Sequence, residues 1–144
     1  MLKLTSQQFA LVLESLQESA RSSGHEKRQF TRIEVQTRLT LATLQDKKPV
    51  RVFTSLSRDI SCTGVGLMQH EKFAPEEMFL ACLPSGKGLL YMVCKAMFCR
   101  PLAEGIFTIG GQFESVASNE LVDQFVSARD AVLAAAAAAA GKKA

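Results

Sequence analysis

Apolar residues near the start of the chain recur at the spacing of an α-helix. Thr5, followed three residues later by Gln8, has the pattern of a capping box, in which each residue bonds a free amide of the first turn. The spacing predicts a helix from about residue 6 to residue 21. Its apolar face contains Phe9, Leu13, Leu16 and Ala20. That face has to be covered, either by the domain that follows or by a second copy of the chain.

The period changes at Ile33, where apolar residues begin to alternate with polar ones. Alternation at every second residue is typical of a strand with one buried face. Six strands are predicted, over residues 33–41, 50–56, 60–68, 78–83, 89–98 and 105–114. Turn residues such as Asp46, Pro75 and Gly86 separate them, and no helix pattern intervenes. The sequence therefore predicts a mainly β fold, a six-stranded antiparallel β-barrel with one α-helix before it and one after it.

A last helix is indicated by Ser118, a residue type that caps helix N-termini, with Glu120 in the first turn. Six apolar residues lie on one side of it: Leu121, Val122, Phe125, Val126, Val132 and Leu133. We expect this helix to pack across one mouth of the barrel. The chain then comprises an N-terminal helix and lead-in (1–25), the barrel (26–117) and a C-terminal helix with an Ala/Lys tail (118–144), all within one domain.

The composition is that of a folded globular domain, because 47% of the 144 residues are apolar and 22% are charged. The net charge of +3 is too small to indicate general binding of a nucleic acid polymer. The positive charge is nevertheless local. Arg21, Lys27, Arg28 and Arg32 stand against a single anion, Glu26. This cluster predicts an anion-binding site.

The cysteines and histidines form no metal-binding pattern. Cys62, Cys82, Cys94 and Cys99 show no CxxC spacing, and the chain has only two histidines. We expect no metal and no cofactor, and we expect Cys82 and Cys94 to be small buried apolar residues. No basic and apolar leader opens the chain, and no run approaches the roughly 18 apolar residues of a membrane span. These features predict a cytoplasmic protein that does not insert into a membrane.

Two short motifs carry the candidate chemistry. Arg28 and Arg32 form RxxxR, and Asp59, Ser61 and Gly64 form DxSxxG, which begins 27 positions after the second arginine. An arginine can donate two hydrogen bonds to guanine or to phosphate, and its flat face stacks on a base. The carboxylate accepts from the N1 and N2 donors of guanine, and the serine hydroxyl reaches an amine or a phosphate. Glycine leaves room for a ligand ring.

Two neighbouring residues complete the candidate ligand site. Lys27 directly precedes the first arginine, and Gly66 adds to the clearance beside Gly64. For Lys27 the alternative is a solvated charge. For each motif taken singly, the alternatives are a solvated arginine loop and an Asx or Ser turn that satisfies local backbone groups.

In this order, with strand-like sequence between them, the motifs resemble the two-part signature of PilZ domains. The resemblance covers about residues 26–114. It implies a six-stranded barrel that binds cyclic di-GMP on its outer surface, often as a stacked dimer of the nucleotide. It assigns ligand contacts to Arg28, Arg32, Asp59, Ser61 and Gly64. In that family, the position of Lys27 influences whether one or two ligand molecules bind.

The resemblance implies a receptor and not an enzyme, one that changes conformation on binding and signals to a partner protein. The regulated behaviour would be bacterial motility, biofilm formation or a related process, and a homodimer is left open. One alternative is a PilZ-like adaptor that works through protein contacts without a ligand. Another is a barrel for single-stranded nucleic acid, which Tyr91 and the nine phenylalanines support poorly. Ser61 lacks the GxSxG pattern of a nucleophile.

Overall fold

Six strands close into an antiparallel barrel in the computed structural model, which describes residues 1–20 and 33–142. In chain order the elements are α1 (Ser6–Ala20), β1 (Ile33–Glu34), β2 (Arg38–Gln45), β3 (Lys48–Ile60), β4 (Gly64–Gln69), β5 (Met78–Ser85), β6 (Gly88–Ala103), β7 (Ile106–Val116) and α2 (Asn119–Lys142). Around the barrel the order is β3, β2, β5, β6, β7 and β4, and pairing of β4 with β3 closes the ring. The short β1 pairs with β3. The fold class predicted from the sequence is confirmed.

The interior of the barrel is filled by side chains that alternate along the strands. The fully buried members include Leu41, Leu67, Phe79, Ile109 and Phe113. Phe73, from the connection between β4 and β5, packs on Phe79 with ring centroids 5.0 Å apart. Because side chains occupy this interior, it has no room for a ligand.

The barrel covers the apolar face of helix α1. Its predicted capping box is confirmed, because the Thr5 amide donates to Gln8 Oε1 (2.9 Å) and the Gln8 amide donates to Thr5 Oγ1 (3.0 Å). Val12 and Leu16 are fully buried in the barrel core. The predicted apolar face contains Leu13 and not Val12. In the structure Leu13 is only half-buried, and Val12 takes the buried position.

The first long strand predicted at residues 33–41 is interrupted. Residues 35–37 belong to neither β1 nor β2. The fully buried Ser57 explains the break, because its hydroxyl donates to the Val35 carbonyl (2.6 Å) and accepts from the Thr37 amide (3.0 Å). These side-chain bonds add to two backbone bonds of the stretch, from the Val35 amide to the Arg58 carbonyl (3.1 Å) and from the Ser57 amide to the Thr37 carbonyl (2.8 Å).

Helix α2 packs on the outer face of the barrel, so the prediction that it crosses a mouth is wrong. Leu121 and Phe125 join Ala42, Leu80 and Cys82 in a second apolar cluster outside the barrel core. The N-cap prediction is confirmed, because the Leu121 amide donates to the Ser118 hydroxyl (3.1 Å).

The packed face of α2 ends before its last apolar residues. Val132 is 47% exposed and Leu133 is 59% exposed, so they do not continue the packed face as predicted. Every residue from 131 to 138 is exposed.

Neither helix of the described chain has the combination of length and hydropathy needed to cross a membrane.

The cysteines of the strands lie as the sequence predicted. Cys82 and Cys94 are buried, whereas Cys62 and Cys99 are partly exposed, and none of the four is in a disulfide. Removal from water raises the pKa of the Cys94 thiol far above its usual range and also raises the pKa of the Cys82 thiol. Both therefore behave as small apolar side chains.

Candidate ligand-binding site on the outer face

One hairpin contains all the described residues of the second motif. Asp59 is near the end of β3, Ser61 is in the connection, and Gly64 and Gly66 are in β4. Asp59 lies between the strands predicted at 50–56 and 60–68, but in the structure it belongs to β3 and is paired with Gly66. The other predicted ligand residues, Lys27, Arg28 and Arg32, lie outside the described residues.

The side chain of Asp59 lies over Gly66 on the outer face of the sheet. Ile60 and Val65, the next pair in the register, face the core, so Asp59 and Gly66 face outward. A Cβ added at Gly66 would lie closer than 3.0 Å to Asp59 Oδ1, and it would be 3.1 Å from Asp59 Cγ. The missing side chain at Gly66 thus makes room for the carboxylate. The clearance predicted there for a ligand ring is in fact used by the protein itself.

Ser61 and Gly64 form the turn of the hairpin. The Ser61 amide donates to the Gly64 carbonyl (2.9 Å), and the Ser61 hydroxyl accepts from the Thr63 amide (3.3 Å). The hydroxyl therefore has the local bond of a Ser turn, which was the alternative considered for this residue. It also lies 3.3 Å from Thr63 Oγ1.

Glycine at position 64 is required by the neighbouring strand. A Cβ there would lie closer than 3.0 Å to the Gly111 carbonyl oxygen of β7, and it would be 3.4 Å from the Cα of Gln112. The positive-φ glycines of the described chain are Gly86 and Gly105, so Gly64 is not needed for a left-handed backbone. Close approach of two backbones is the physical reason for this glycine of the motif.

The first motif is joined to this hairpin by the chain itself. Arg32 directly precedes Ile33 in the sequence, and consecutive Cα atoms are about 3.8 Å apart. Ile33 pairs with Ile60, and Glu34 pairs with Asp59. The short strand β1, which follows the RxxxR segment in the sequence, is therefore paired with the strand that contains Asp59.

Several residues beside Asp59 were not identified from the sequence. Arg58 donates from Nε to Asp59 Oδ2 (3.2 Å) and from Nη1 to the hydroxyl of Thr108 on β7. The side chain of Arg58 is 32% exposed, and that of Asp59 is 10% exposed. A carboxylate so far removed from water needs hydrogen-bond donors, and Arg58 supplies one of them. Its guanidinium lies beside Gly66, where an added Cβ would be 2.9 Å from Nη2.

An aromatic ring continues the same outer row. Gly66 pairs with Gly110, and Gly110 pairs with Phe98 of β6. A Cβ at Gly110 would come closer than 3.0 Å to three atoms of the Phe98 ring, so the ring lies against the bare backbone. Arg100 lies over this ring, with Cζ 4.4 Å from its centroid. The Gly110-Gly111 pair inside a predicted strand was the sequence signal that could have indicated this close approach.

A groove adjoins the row at Thr108. It has a volume of about 470 Å³ and is lined on one side by Leu56 and Met68 and on the other by Leu102 and Ile106. Met68 pairs with Thr108, so the groove begins next to the residue that receives Arg58. Along the strands, Leu56 is three residues from Asp59 and Met68 is two residues from Gly66.

The outer surface beside Asp59 combines an acceptor, two cations and an aromatic ring. Asp59 is an acceptor, Arg58 and Arg100 are cations, and the Phe98 ring lies between Arg100 and the bare backbone of Gly110. A flat base with donors on one edge and a nearby phosphate fits these groups. Within the described residues, no three His, Cys, Asp or Glu side chains are grouped in a way that could hold a metal ion.

Comparisons of the chain with protein-family models, with curated proteins and with solved structures find no match in any of the three. Function is therefore inferred from the residues of the site and from their geometry.

Proposed function

We propose that this chain is a PilZ-type receptor for cyclic di-GMP and that it performs no covalent chemistry. One observation supports this proposal most directly. The β3–β4 hairpin presents Asp59 over Gly66 on the outside of a closed barrel, and the strand that follows the RxxxR segment pairs with Asp59 itself. Ile33, which follows the RxxxR segment in the sequence, therefore begins a strand that is paired with the strand of Asp59, although 27 positions separate the two motifs.

In the proposed complex, the Asp59 carboxylate accepts from N1 and N2 of one guanine. Arg28 and Arg32 supply cations for the phosphates and for the acceptor edge of guanine, in the roles that the resemblance assigns to them. Arg100, which is exposed and lies over Phe98, provides a planar cation for a base or a phosphate on the same surface. Ser61 contributes through its hydroxyl, while Gly64 acts by allowing β7 to approach the hairpin. Lys27 adds a further cation.

A route for the signal begins at the hairpin turn. The Leu4 amide donates to the Cys62 carbonyl (2.8 Å), and the Phe113 amide donates to the Thr63 carbonyl (2.8 Å). The segment that leads into α1 is thus bonded to the turn of the DxSxxG motif. A nucleotide that alters this turn also alters the attachment of α1, and with it the surface offered to a partner protein. Motility and biofilm formation are the bacterial behaviours that such a receptor would control.

The experiment that tests the proposal is a calorimetric titration of the purified chain with cyclic di-GMP. GTP and linear pGpG are the ligand controls, and Asp59→Asn, Arg28→Ala and Arg32→Ala are the site variants. Asp46→Asn is a matched control, because Asp46 is exposed at the β2–β3 turn, away from the site. We expect saturable binding that is selective for the cyclic dinucleotide, is lost in the three site variants and is kept in the control. Absence of binding by the unmodified chain would contradict the proposal.

The exposed half of α2 favours a second candidate, a PilZ-like adaptor that acts through protein contacts alone. Val132 and Leu133 belong to a stretch of the helix, residues 131–138, in which every residue is exposed. Alanine substitution at both positions would reduce partner binding in this case, with no dependence on nucleotide. The titration separates the two candidates, because the adaptor binds no cyclic di-GMP.

A further inference from the structure

Strand β3 contains one extra residue at Arg58. Ser57 pairs with Leu67 of β4 and Asp59 pairs with Gly66, so Arg58 has no register partner on β4. Such a β-bulge reverses the alternation of side chains along the strand. Ser57 and Ile60 are both fully buried, whereas Asp59 between them faces outward. In a regular strand Asp59 would have shared the inward face with Ser57. The bulge at Arg58 is therefore what presents the carboxylate on the outside.

The side chain of Arg58 then holds that carboxylate in place. Its Nε donates to Asp59 Oδ2 (3.2 Å), while Nη1 donates to the hydroxyl of Thr108. Thr108 is itself buried, with an exposed fraction of 8%. The planar guanidinium is thus anchored at both ends, from β3 to β7 across Gly66. Rotation of the Asp59 carboxyl away from Gly66 would break the bond to Arg58.

We infer that Arg58 is a positioning residue that sets the preference of the site for guanine, an inference that rests on the proposed function. A carboxylate has about four lone-pair sites, so it can accept from more than one donor at the same time, and a bond from Arg58 is compatible with a bond from a base. Recognition of the N1 and N2 donors together requires the two oxygens to lie in the plane of the base. Arg58 and Thr108 supply that orientation before the ligand arrives, which reduces the ordering cost of binding.

The test compares cyclic di-GMP with cyclic di-IMP, which differs from it only in lacking the 2-amino group of each base. The variants are Arg58→Gln, which removes the guanidinium, and Thr108→Val, which removes only its anchor. Arg51→Gln is the matched control, because Arg51 is an arginine of the same strand that pairs with Glu71 away from the site. Affinities for both nucleotides are measured by calorimetry on the full chain, alongside thermal unfolding.

We expect the ratio of the two affinities to fall about tenfold in Arg58→Gln, the usual size of a charged hydrogen bond, with a smaller fall in Thr108→Val and no change in Arg51→Gln. If Arg58 had a purely structural role, its replacement would lower the affinities for both nucleotides by the same factor, and that result would overturn the inference. So would unchanged binding in both variants. If Arg58→Gln does not fold, Thr108→Val decides alone.

The titrations distinguish failure of the proposed function from failure of the role of Arg58. An unmodified chain that binds neither nucleotide overturns both the receptor and the role of Arg58. Binding that is lost in Asp59→Asn, but keeps its full selectivity in Arg58→Gln and Thr108→Val, overturns only the role of Arg58.

Discussion

Substitution by alanine at two glycines of one hairpin should have different effects, on ligand binding at one and on stability at the other. In Gly66→Ala, the new methyl group meets Asp59 Oδ1 and Arg58 Nη2, which are the ends of two side chains. In Gly64→Ala, it meets the Gly111 carbonyl oxygen, which belongs to the backbone of the next strand. Side chains can rotate away, whereas a closed barrel cannot move one strand without disturbing its neighbours. We therefore expect Gly66→Ala to affect binding and Gly64→Ala to affect the fold.

The size of the effect at Gly64 follows from the contact. A Cβ closer than 3.0 Å to a carbonyl oxygen has to be relieved by a shift of the backbone, and overpacking of this kind costs about 1–3 kcal/mol. For a chain of this length, each kcal/mol lowers Tm by about 3–4 °C. The expected loss of Tm in Gly64→Ala is thus several degrees.

At Gly66 the gain in strand propensity offsets part of the cost of moving the Asp59 carboxylate. Alanine is favoured over glycine in a strand by about 0.5–1 kcal/mol. The displaced carboxylate, however, no longer meets the base, and loss of a charged hydrogen bond reduces affinity for cyclic di-GMP about tenfold or more.

Thermal unfolding and calorimetric titration of both variants check this pair of expectations. The reasoning is refuted if Gly66→Ala binds cyclic di-GMP like the unmodified chain, or if it unfolds as early as Gly64→Ala. Partial unfolding of Gly64→Ala would also reduce binding. The titrations are therefore made at a temperature about 20 °C or more below the measured Tm of each variant.

Three further expectations concern the frame of the site. Thr5→Ala removes the cap of α1 and should lower the free energy of unfolding by about 1 kcal/mol in chemical denaturation; an unchanged midpoint would contradict the capping role. Phe125→Ala should cost about 3–5 kcal/mol because it empties the cluster under α2, whereas Leu133→Ala, at an exposed position, should leave the midpoint in place. Because burial raises the pKa of the Cys94 thiol, iodoacetamide at pH 8 should label Cys62 in the folded protein and Cys94 only after unfolding, as read by peptide mass spectrometry.

Much of the frame could be predicted from the sequence. The caps of both helices depend on residues three positions apart, and both were found as predicted at Thr5 and Ser118. The six strands follow from alternation that is visible over short windows. Their closure into a barrel was also predicted and is confirmed.

The candidate site was predicted only in part. Asp59, Ser61, Gly64 and Gly66 lie in one hairpin, but the turn occupies residues 61–63, inside the strand predicted at 60–68. Arg58 was passed over because a β-bulge has no local sequence signature. The bulge is defined by the register with β4, and β4 lies after the turn.

Taken alone, the sequence determined the elements, their order and the two motifs, since each depends on side chains and backbone within a few positions of one another. Only the tertiary structure decided that α2 covers the outside of the barrel, that Gly64 makes room for the backbone of β7, and that Arg58 joins Asp59 to Thr108. Arg58 and Thr108 are 50 positions apart in the chain. Contacts over such distances form only when the barrel closes, because closure brings β3, β4 and β7 side by side.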